Sequence, residues 1–349
     1  MKKHRRTLVA GLLLVAGVVA VSLLIGSGEP TFRGKPESYW ITNIVYNGPD
    51  KEIERWRGFG LEGVNLLTQY LDRGSGWQVT YRKLYRRFAP RTPGVLVRLC
   101  PEPVDNRATR MCVLNLLNSL SSRDTNIARL AEPTVARAMA DDNPSLRQSA
   151  VGFYDGMFRQ HMDAKVKKAR LRDFLRLAQD DDHWVRGNAA IALSFFRDEA
   201  ETVAPVLIKV LPEPHLQIQL TIAQSLARVD REAAAKAGVA AIAATSLKDP
   251  DGIIPNPAAH PWSRWEIARQ AAEVLGELHA EPAVSVPALV EGIGATNREI
   301  AIASFRALVK FVDQSPDVLP VLRKAAERKD IPNWVTAELF KIDPLAAKP

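Results

Sequence analysis

The sequence predicts an all-α protein, an α-solenoid built from stacked antiparallel helix pairs. Three observations lead to this prediction. A short phrase of apolar and small residues returns along the chain of 349 residues, acidic turns precede its copies, and a Pro stands ahead of the apolar run that comes before each turn. Repetition at this spacing is typical of proteins whose units bury their apolar faces only against their neighbours.

The clearest copy of the phrase runs from Trp184 to Leu193, with an apolar pair, a polar residue, small residues and a second apolar pair. One position of the phrase can be followed through the chain with spacings of 37, 39, 33, 49 and 33 residues, at Arg110, Arg147, Arg186, Gln219, Ala268 and Ala301. The long interval contains a stretch rich in Pro near residues 250–264. We interpret that stretch as an insertion in one loop.

Each unit is predicted to consist of two helices. The first helix is expected to start near a Pro, because Pro suits a first helical turn, as in the runs Val203–Leu207, Val284–Leu289 and Val318–Leu322. The second helix is expected to start after an acidic turn, whose side chains can accept hydrogen bonds from free helix N–H groups. These turns are Asp141–Pro144, Asp180–Asp182 and Asp249–Asp251.

This combination resembles the HEAT-repeat family, chiefly through the phrase Val185–Leu193, over roughly Leu61 to Ile342. The resemblance implies a HEAT-like superhelix. The recurrence of Arg147 and Arg186 favours contacts between neighbouring units over a binding role. The last unit, around Trp334–Phe340, is short, as in a capping repeat, and residues 343–349 form a tail. Such solenoids host many unrelated functions, so the resemblance implies no activity.

The N-terminus predicts a membrane anchor. Residues 1–6 carry four Lys or Arg and precede an apolar run over residues 7–27, of which Leu8–Ile25 is long enough to span a bilayer. The positive-inside rule then predicts a cytoplasmic N-terminus and an extracytoplasmic, periplasmic repeat domain in a single-pass protein. The alternative is a cleaved signal and a secreted chain.

Residues 28–60 are predicted to form a juxtamembrane linker and a short helix. The stretch from Gly34 to Trp40 is similar to a juncture in exported bacterial HEAT-repeat proteins, where a Gly-Lys-Pro or Gly-Lys-Ser segment precedes a Trp. The solenoid is expected to cover residues 61–342. Its first amphipathic helix should present Leu61, Val64, Leu67 and Leu71 on one face.

Charge points to one candidate interaction segment. The chain has 47 basic and 39 acidic residues, but without the four N-terminal cations the balance is 43 − 39 = +4. This small excess, with the predicted compartment, disfavours nucleic acid as a partner. From Arg73 to Arg98, however, seven cations alternate with aromatic residues and no acid intervenes; the candidates are Arg82, Lys83, Arg86 and Arg87. They form either a solvated helix face or a patch for anionic lipid or an acidic partner.

The insertion supplies the second candidate, Trp262, Arg264 and Trp265. Trp and Arg often anchor interfaces, although the two Trp side chains could instead fold back onto adjacent helices. Two cysteines, Cys100 and Cys112, leave a disulfide and a pair of buried thiols as alternatives.

No catalytic, cofactor-binding or metal-binding residue is predicted. The six His are scattered, and the acidic run before His183 is better explained as a helix cap than as a metal site. We therefore expect a scaffold or protein-interaction module that is not an enzyme, requires no cofactor, and binds a protein partner of unknown identity. The alternatives are a lyase-type or accessory enzyme, since some HEAT-like families resemble lyases that handle tetrapyrrole chromophores, and a nucleic-acid-binding solenoid.

Overall fold

The computed structural model describes residues 30–73, 106–160, 164–248, 264–328 and 331–343, together with Tyr85 and Arg87. In this part the protein is all-α, with sixteen α-helices that pack in pairs and one short β-hairpin. The chain divides into two compact units, residues 1–162 and 163–349, which we describe separately. One elongated domain was expected from the sequence.

Unit 1 begins with a small hairpin, and its helices follow. The hairpin pairs β1 (Thr31–Phe32) with β2 (Lys35–Pro36) in antiparallel register. Its two-residue turn has positive φ at Arg33 (50°) and Gly34 (77°), as a tight hairpin with native strand twist requires. The helices are α1 (Glu37–Asn47), α2 (Pro49–Arg73), α3 (Arg107–Ser121), α4 (Thr125–Ala138) and α5 (Pro144–Gln160).

Helix α2 contains a break at Gly60, whose φ of 58° and ψ of −147° are accessible to glycine but not to a residue with a Cβ. The predicted start of the first amphipathic helix at residue 61 falls at this break, and a further helical segment, residues 49–59, precedes it. Downstream of the break Val64, Leu67 and Leu71 are buried, as predicted. Leu61 directly follows the break and is half exposed, so its predicted place on the buried face was wrong.

The helices of unit 1 form two layers. Helix α3 packs against α1, α2 and α5, and α2 also packs on α4. The core between the layers is aliphatic and aromatic, with Leu67, Leu114, Leu117, Val135 and Tyr154 fully buried. Burial of this shared apolar surface is the main force that stabilises the stack.

Unit 2 contains the remaining helices, which again alternate between two layers. They are α6 (Ala164–Leu177), α7 (His183–Leu193), α8 (Ala200–Val210), α9 (Leu216–Val229), α10 (Arg231–Lys236), α11 (Val239–Lys248), α12 (Arg264–Leu278), α13 (Pro282–Ile293), α14 (Arg298–Val309), α15 (Leu319–Ala326) and α16 (Asn333–Ile342). Short 3₁₀ turns at Arg197–Glu199, Lys310–Asp313 and Pro316–Val318 connect some of them.

One layer of unit 2 holds the second helix of each pair. Helices α7, α9, α12, α14 and α16 pack side by side in that order. First helices cover this layer, and α11 and α13 also pack on each other. This arrangement is compatible with the predicted α-solenoid.

The acidic turns Asp141–Pro144 and Asp180–Asp182 cap second helices, as predicted, and the third predicted turn, Asp249–Asp251, lies outside the described residues. The Asp182 carboxylate accepts hydrogen bonds from the N–H groups of Trp184 (2.9 Å) and Val185 (3.1 Å) at the start of α7. Asn297 does the same for Glu299 and Ile300 at the start of α14. Each cap satisfies two N–H groups that have no partner within the helix.

The predicted start of the first helices was wrong. Pro205 and Pro287 lie in the second turn of α8 and α13, not at their N-termini. The chain is already helical before each Pro, because a Pro there lacks only one helical N–H bond and the apolar face on both sides of it is buried. In α15 the predicted Pro, Pro320, does lie in the first turn, and α13 begins at a different Pro, Pro282.

The predicted membrane span at residues 7–27 lies outside the described residues. Among the helices that the structure does describe, none combines the length and the apolar character needed to cross a bilayer.

Candidate interaction surface

The second helices of unit 2 share one stripe of partly or fully exposed residues, interrupted by the buried Ala303, which we call the front face. Its members lie at the same positions of each repeat, separated by four, three and four residues, a spacing that keeps them on one side of a helix. They are Trp184, Asn188, Ile191 and Phe195 on α7 and the turn after it; Gln217, Thr221, Gln224 and Arg228 on α9; Glu266, Gln270, Glu273 and Glu277 on α12; and Glu299, Ala303, Arg306 and Lys310 on α14 and the turn after it.

The α7 end of the front face is mainly apolar. Trp184, Ile191 and Phe195 are each partly exposed there, while Val185, Ala189 and Leu193 on the same helix are buried. Large apolar side chains in such positions can enter the pockets of a binding partner.

Two histidines and a tryptophan form a cluster at the start of this stripe. The imidazole rings of His183 and His215 stack with centroids 4.8 Å apart, and the Trp184 ring lies 5.3 Å and 5.2 Å from them. The two histidines are 215 − 183 = 32 residues apart in the sequence and form no local pair there. Their separation, close to one repeat length, would have indicated that stacked repeats bring them together.

The first three residues of the α9 stripe, Gln217, Thr221 and Gln224, form an uncharged polar section in the middle of the front face. Hydrogen bonds connect it to the next helix, since Gln270 Nε2 donates to Thr221 Oγ1 at 3.0 Å. At the far end of the same stripe Arg228 Nε lies 3.5 Å from Glu277 Oε2. The stripes of α9 and α12 are therefore parts of one surface.

The α12 and α14 end of the front face carries both signs of charge. Glu273 on α12 pairs with Arg269, and Lys310 Nζ donates to the Gly276 carbonyl of α12 at 3.0 Å. Arg306 and Glu299 on α14 are exposed. The front face therefore changes from apolar through uncharged polar to charged over four helices.

The equivalent positions of unit 1 carry small side chains. They are Ala108, Cys112, Asn115 and Ser119 on α3, and Ser145, Ser149, Gly152 and Gly156 on α5. A Cβ placed on Gly152 or Gly156 would meet no atom within 4 Å. Unit 1 thus differs from unit 2 in the chemistry of the same repeat positions.

The recurring Arg residues make structural contacts, as expected. Arg186 donates through Nε to Glu213 Oε2 at 2.8 Å, in the turn before the next second helix, and through Nη1 to the Asp180 carbonyl at 2.8 Å. In unit 1 Arg110 Nη1 lies 2.8 Å from Asp141 Oδ2 in the following acidic turn, and both side chains are almost completely buried. These contacts tie successive repeats together.

The electrostatics of Asp141 follow from this position. Burial of the carboxylate by itself raises its pKa, but the hydrogen bond from the Asn143 N–H and the charge of Arg110 outweigh burial. The pKa of Asp141 is therefore held below its ordinary value of 3.8.

The structure describes only part of the predicted candidate residues. Arg82, Lys83, Arg86 and Trp262 lie outside the described residues. Arg87 is helical and exposed, and Arg264 begins α12. Trp265, in the first turn of α12, is partly exposed.

Metal binding and thiol chemistry are the two remaining candidates. Within the ranges that the structure covers, no group of three or more His, Cys, Asp and Glu side chains could hold a metal ion. Cys112 is a free, partly exposed thiol on α3, and Cys100 lies outside the described residues.

The repeated position itself does not reveal the front face. Its residues stand at fixed offsets from that position, two before it and two, five and nine after it. The residue types at those offsets differ from repeat to repeat, whereas the buried positions of the same helices stay apolar or small. Variation of this kind at a fixed helical offset is the signal that could have revealed the surface.

Comparison with known proteins gives no family. No protein-family model matches the chain, and no curated protein does. A solved structure described as the crystal structure of an engineered protein is similar over 59% of this chain and 91% of its own, with 16% sequence identity and a TM-score of 0.41. A TM-score this low supports no conclusion about this chain.

Proposed function

We propose that this chain is a membrane-anchored α-solenoid of the HEAT type that acts as a scaffold for a protein partner. The N-terminus would be cytoplasmic and the helical units extracytoplasmic. Cleavage of the apolar segment, giving a secreted scaffold, is the alternative. The front face of unit 2 is the observation that carries the proposal.

The gradient along the front face supports a protein partner. A partner segment could insert apolar side chains between Trp184, Ile191 and Phe195, and pair its polar groups with the amides of α9. Charged groups at the α12 and α14 end would then set its direction and register, because charge complementarity contributes mainly specificity.

Mixed charge on this surface does not favour a nucleic acid. Four carboxylates, those of Glu266, Glu273, Glu277 and Glu299, lie on the same stripes as the cations of Arg228, Arg306 and Lys310. A continuous positive stripe would be required to neutralise successive phosphates. The lyase-type alternative would require a nucleophile beside a chromophore-sized cavity, and no observation favours it.

Site-specific photo-crosslinking tests the proposal. A photoreactive amino acid replaces Gln224 on the front face of the full chain in native membranes. A matched variant carries the same amino acid at Thr245, which is exposed on α11 in the layer of first helices. We expect a discrete crosslinked partner from position 224 and none from position 245. Equal labelling from both positions would argue against a binding role for the front face.

A charge substitution provides the second half of this test. Ile191→Arg places a cation in the apolar part of the front face and should abolish the crosslink from position 224. The matched control is Ile208→Arg on helix α8, where the isoleucine is also partly exposed but lies outside the front face. Loss of the crosslink in both variants would indicate a general loss of structure, which circular dichroism would detect.

The basic segment contributes a separate part of the proposal. We place Arg82, Lys83, Arg86 and Arg87 at an anionic lipid surface, supported by their charge and by the exposure of Arg87. Co-sedimentation of the soluble portion with anionic liposomes should fall when all four are changed to Glu. Unchanged binding would assign this segment an ordinary solvated face.

A further inference from the structure

Helix α1 exposes an uncharged face that is rich in tyrosine. Tyr46 is 88% exposed, Tyr39 43% and Val45 42%, and Ser38 and Thr42 are exposed beside them. These five residues, which we call the α1 face, lie on one side of the helix. The only charged residue in α1 is Glu37, which is buried and paired with Arg73.

The opposite side of α1 is fixed to unit 1. Ile41 and Ile44 are buried, and α1 packs on α2 and α3. The Trp40 indole donates to the Phe32 carbonyl at 2.8 Å, and the rings of Phe32, Trp40 and Phe59 contact one another edge to face. The hairpin and α1 therefore present the α1 face in a defined orientation.

Of the two hairpin cations, Lys35 borders the α1 face, whereas Arg33 lies by the Phe59 ring of α2, with its Nη2 3.7 Å from Glu62 Oε2. Lys35 Nζ lies 4.3 Å from the centre of the Tyr39 ring, and the Arg33 guanidinium lies 5.0 Å from the Phe59 ring. Both cationic residues are exposed. Exposed aromatic rings beside a Lys suit the boundary between lipid tails and phosphate headgroups, where rings and cations each find a favourable environment.

The position in the chain identifies the surface that could cover this face. The uncharged apolar run ends at Ile25, and β1 starts at Thr31. Because an extended residue spans at most about 3.6 Å, the hairpin lies within about 20 Å of the end of that run. If the run crosses a bilayer, the α1 face is within reach of its headgroups.

We propose that the α1 face rests on the membrane that holds the anchor, with Tyr39 and Tyr46 among the headgroups and Lys35 beside lipid phosphates. This inference depends on the membrane anchor of the proposed function. It adds a second point of contact, which would fix the orientation of unit 1 on the membrane. A second copy of the chain or a protein partner are the competing occupants.

A fluorescent probe at the face tests this inference. In the full chain with Cys100→Ser and Cys112→Ser, a Tyr46→Cys variant carries an environment-sensitive dye, and the chain is reconstituted in phosphatidylcholine and phosphatidylglycerol vesicles. We expect a blue-shifted emission and at least twofold quenching by spin-labelled headgroup lipids. The matched control is Asn126→Cys, exposed at the start of α4 in the other helix layer, which should remain water-like. Thr42→Cys gives a second probe on the α1 face.

The outcomes separate this inference from the anchor. Headgroup quenching at positions 46 and 42 but not 126 supports the inference. A water-like probe on a chain that resists alkaline extraction overturns the α1 contact and leaves the anchor in place. A chain released by alkaline extraction overturns the anchor, and the inference with it. A probe shielded in detergent, or shielded without headgroup quenching, assigns the face to a protein contact and also overturns the inference.

Discussion

At the scale of single residues, Arg110 and Asp141 form the most deeply buried ion pair among the described residues of unit 1. Their side chains are 1% and 2% exposed, so each charge depends on the other for compensation. Other pairs at the surface of this unit, such as Arg137 with Asp72, remain in contact with water. Removing one partner of a buried ion pair lowers the free energy of unfolding several-fold more than removing one partner of an exposed pair.

Arg110→Ala should lower the free energy of unfolding by about 3–5 kcal/mol, because it leaves the Asp141 carboxylate buried without its counter-charge. Urea unfolding at pH 7 measures the change. The control is Arg137→Ala, whose side chain is 53% exposed and should cost about 1 kcal/mol or less. Equal losses in the two variants would contradict this account of the buried pair.

The lowered pKa of Asp141 predicts acid sensitivity of a definite sign. Because the folded state favours the ionised carboxylate, the contribution to stability is complete above the ordinary pKa of 3.8 and is lost as pH falls through the lower folded value. Asp141→Asn should be less stable at pH 7, but its stability should fall less between pH 4 and pH 2. Asp198→Asn removes a carboxylate that is 90% exposed and serves as the control. An unchanged acid slope in Asp141→Asn would show that another group titrates.

At the scale of helices, close approach in unit 2 depends on small residues at the seams. A Cβ on Gly276 of α12 would lie 2.8 Å from the Cβ and 3.0 Å from the Cα of Ala307 on α14. Similarly, a Cβ on Gly187 of α7 would lie 2.8 Å from Ile218 of α9. The backbone contact at Gly276 is the less adaptable of the two, because a backbone atom cannot move aside by changing rotamer.

Gly276→Ala should therefore destabilise unit 2 by about 1–3 kcal/mol, since the added methyl group forces α12 and α14 apart. Gly152→Ala on α5 is the matched control, because its new Cβ would meet open space. In that variant the higher helix propensity of Ala should raise the free energy of unfolding by about 0.5–1 kcal/mol. Thermal or urea unfolding of both variants checks the prediction, and a stabilised Gly276→Ala would refute the close approach.

At the scale of the whole molecule, each compact unit has its own buried core. In unit 2 the core extends from Phe174 and Phe196, whose ring centroids lie 5.9 Å apart, to Phe311 and Leu322. Such a core is the usual requirement for independent folding. The stacked helices of this unit depend mainly on neighbours within the unit.

Residues 163–349, produced alone, should give a helical circular dichroism spectrum and a cooperative urea transition. A shorter fragment that starts at His183 lacks α6 and should be markedly less stable, because Phe196 loses its contact with Phe174. If residues 163–349 are unfolded, the stability of unit 2 depends on the rest of the chain. The test compares the urea transitions of the two fragments at the same concentration.

Much of the fold could be predicted from local sequence. Capping residues such as Asp182 and Asn297 mark helix starts because their hydrogen bonds involve only the next few residues. Helix starts before Pro205 and Pro287 could not be predicted in this way, because burial of the whole face outweighed the local preference of Pro. The break at Gly60 likewise left Leu61 exposed in spite of its position in the apolar pattern.

The sequence alone determined the helical class, the repeat spacing and the structural role of the recurring Arg and Asp residues, because periodicity and caps are short-range properties. Only the tertiary structure determined which side chains meet across repeats. It stacked His183 on His215, buried Arg110 against Asp141 and assembled the front face. Linear spacing indicates which positions face the same side of neighbouring repeats, but whether their side chains touch depends on how closely each helix pair packs on the next.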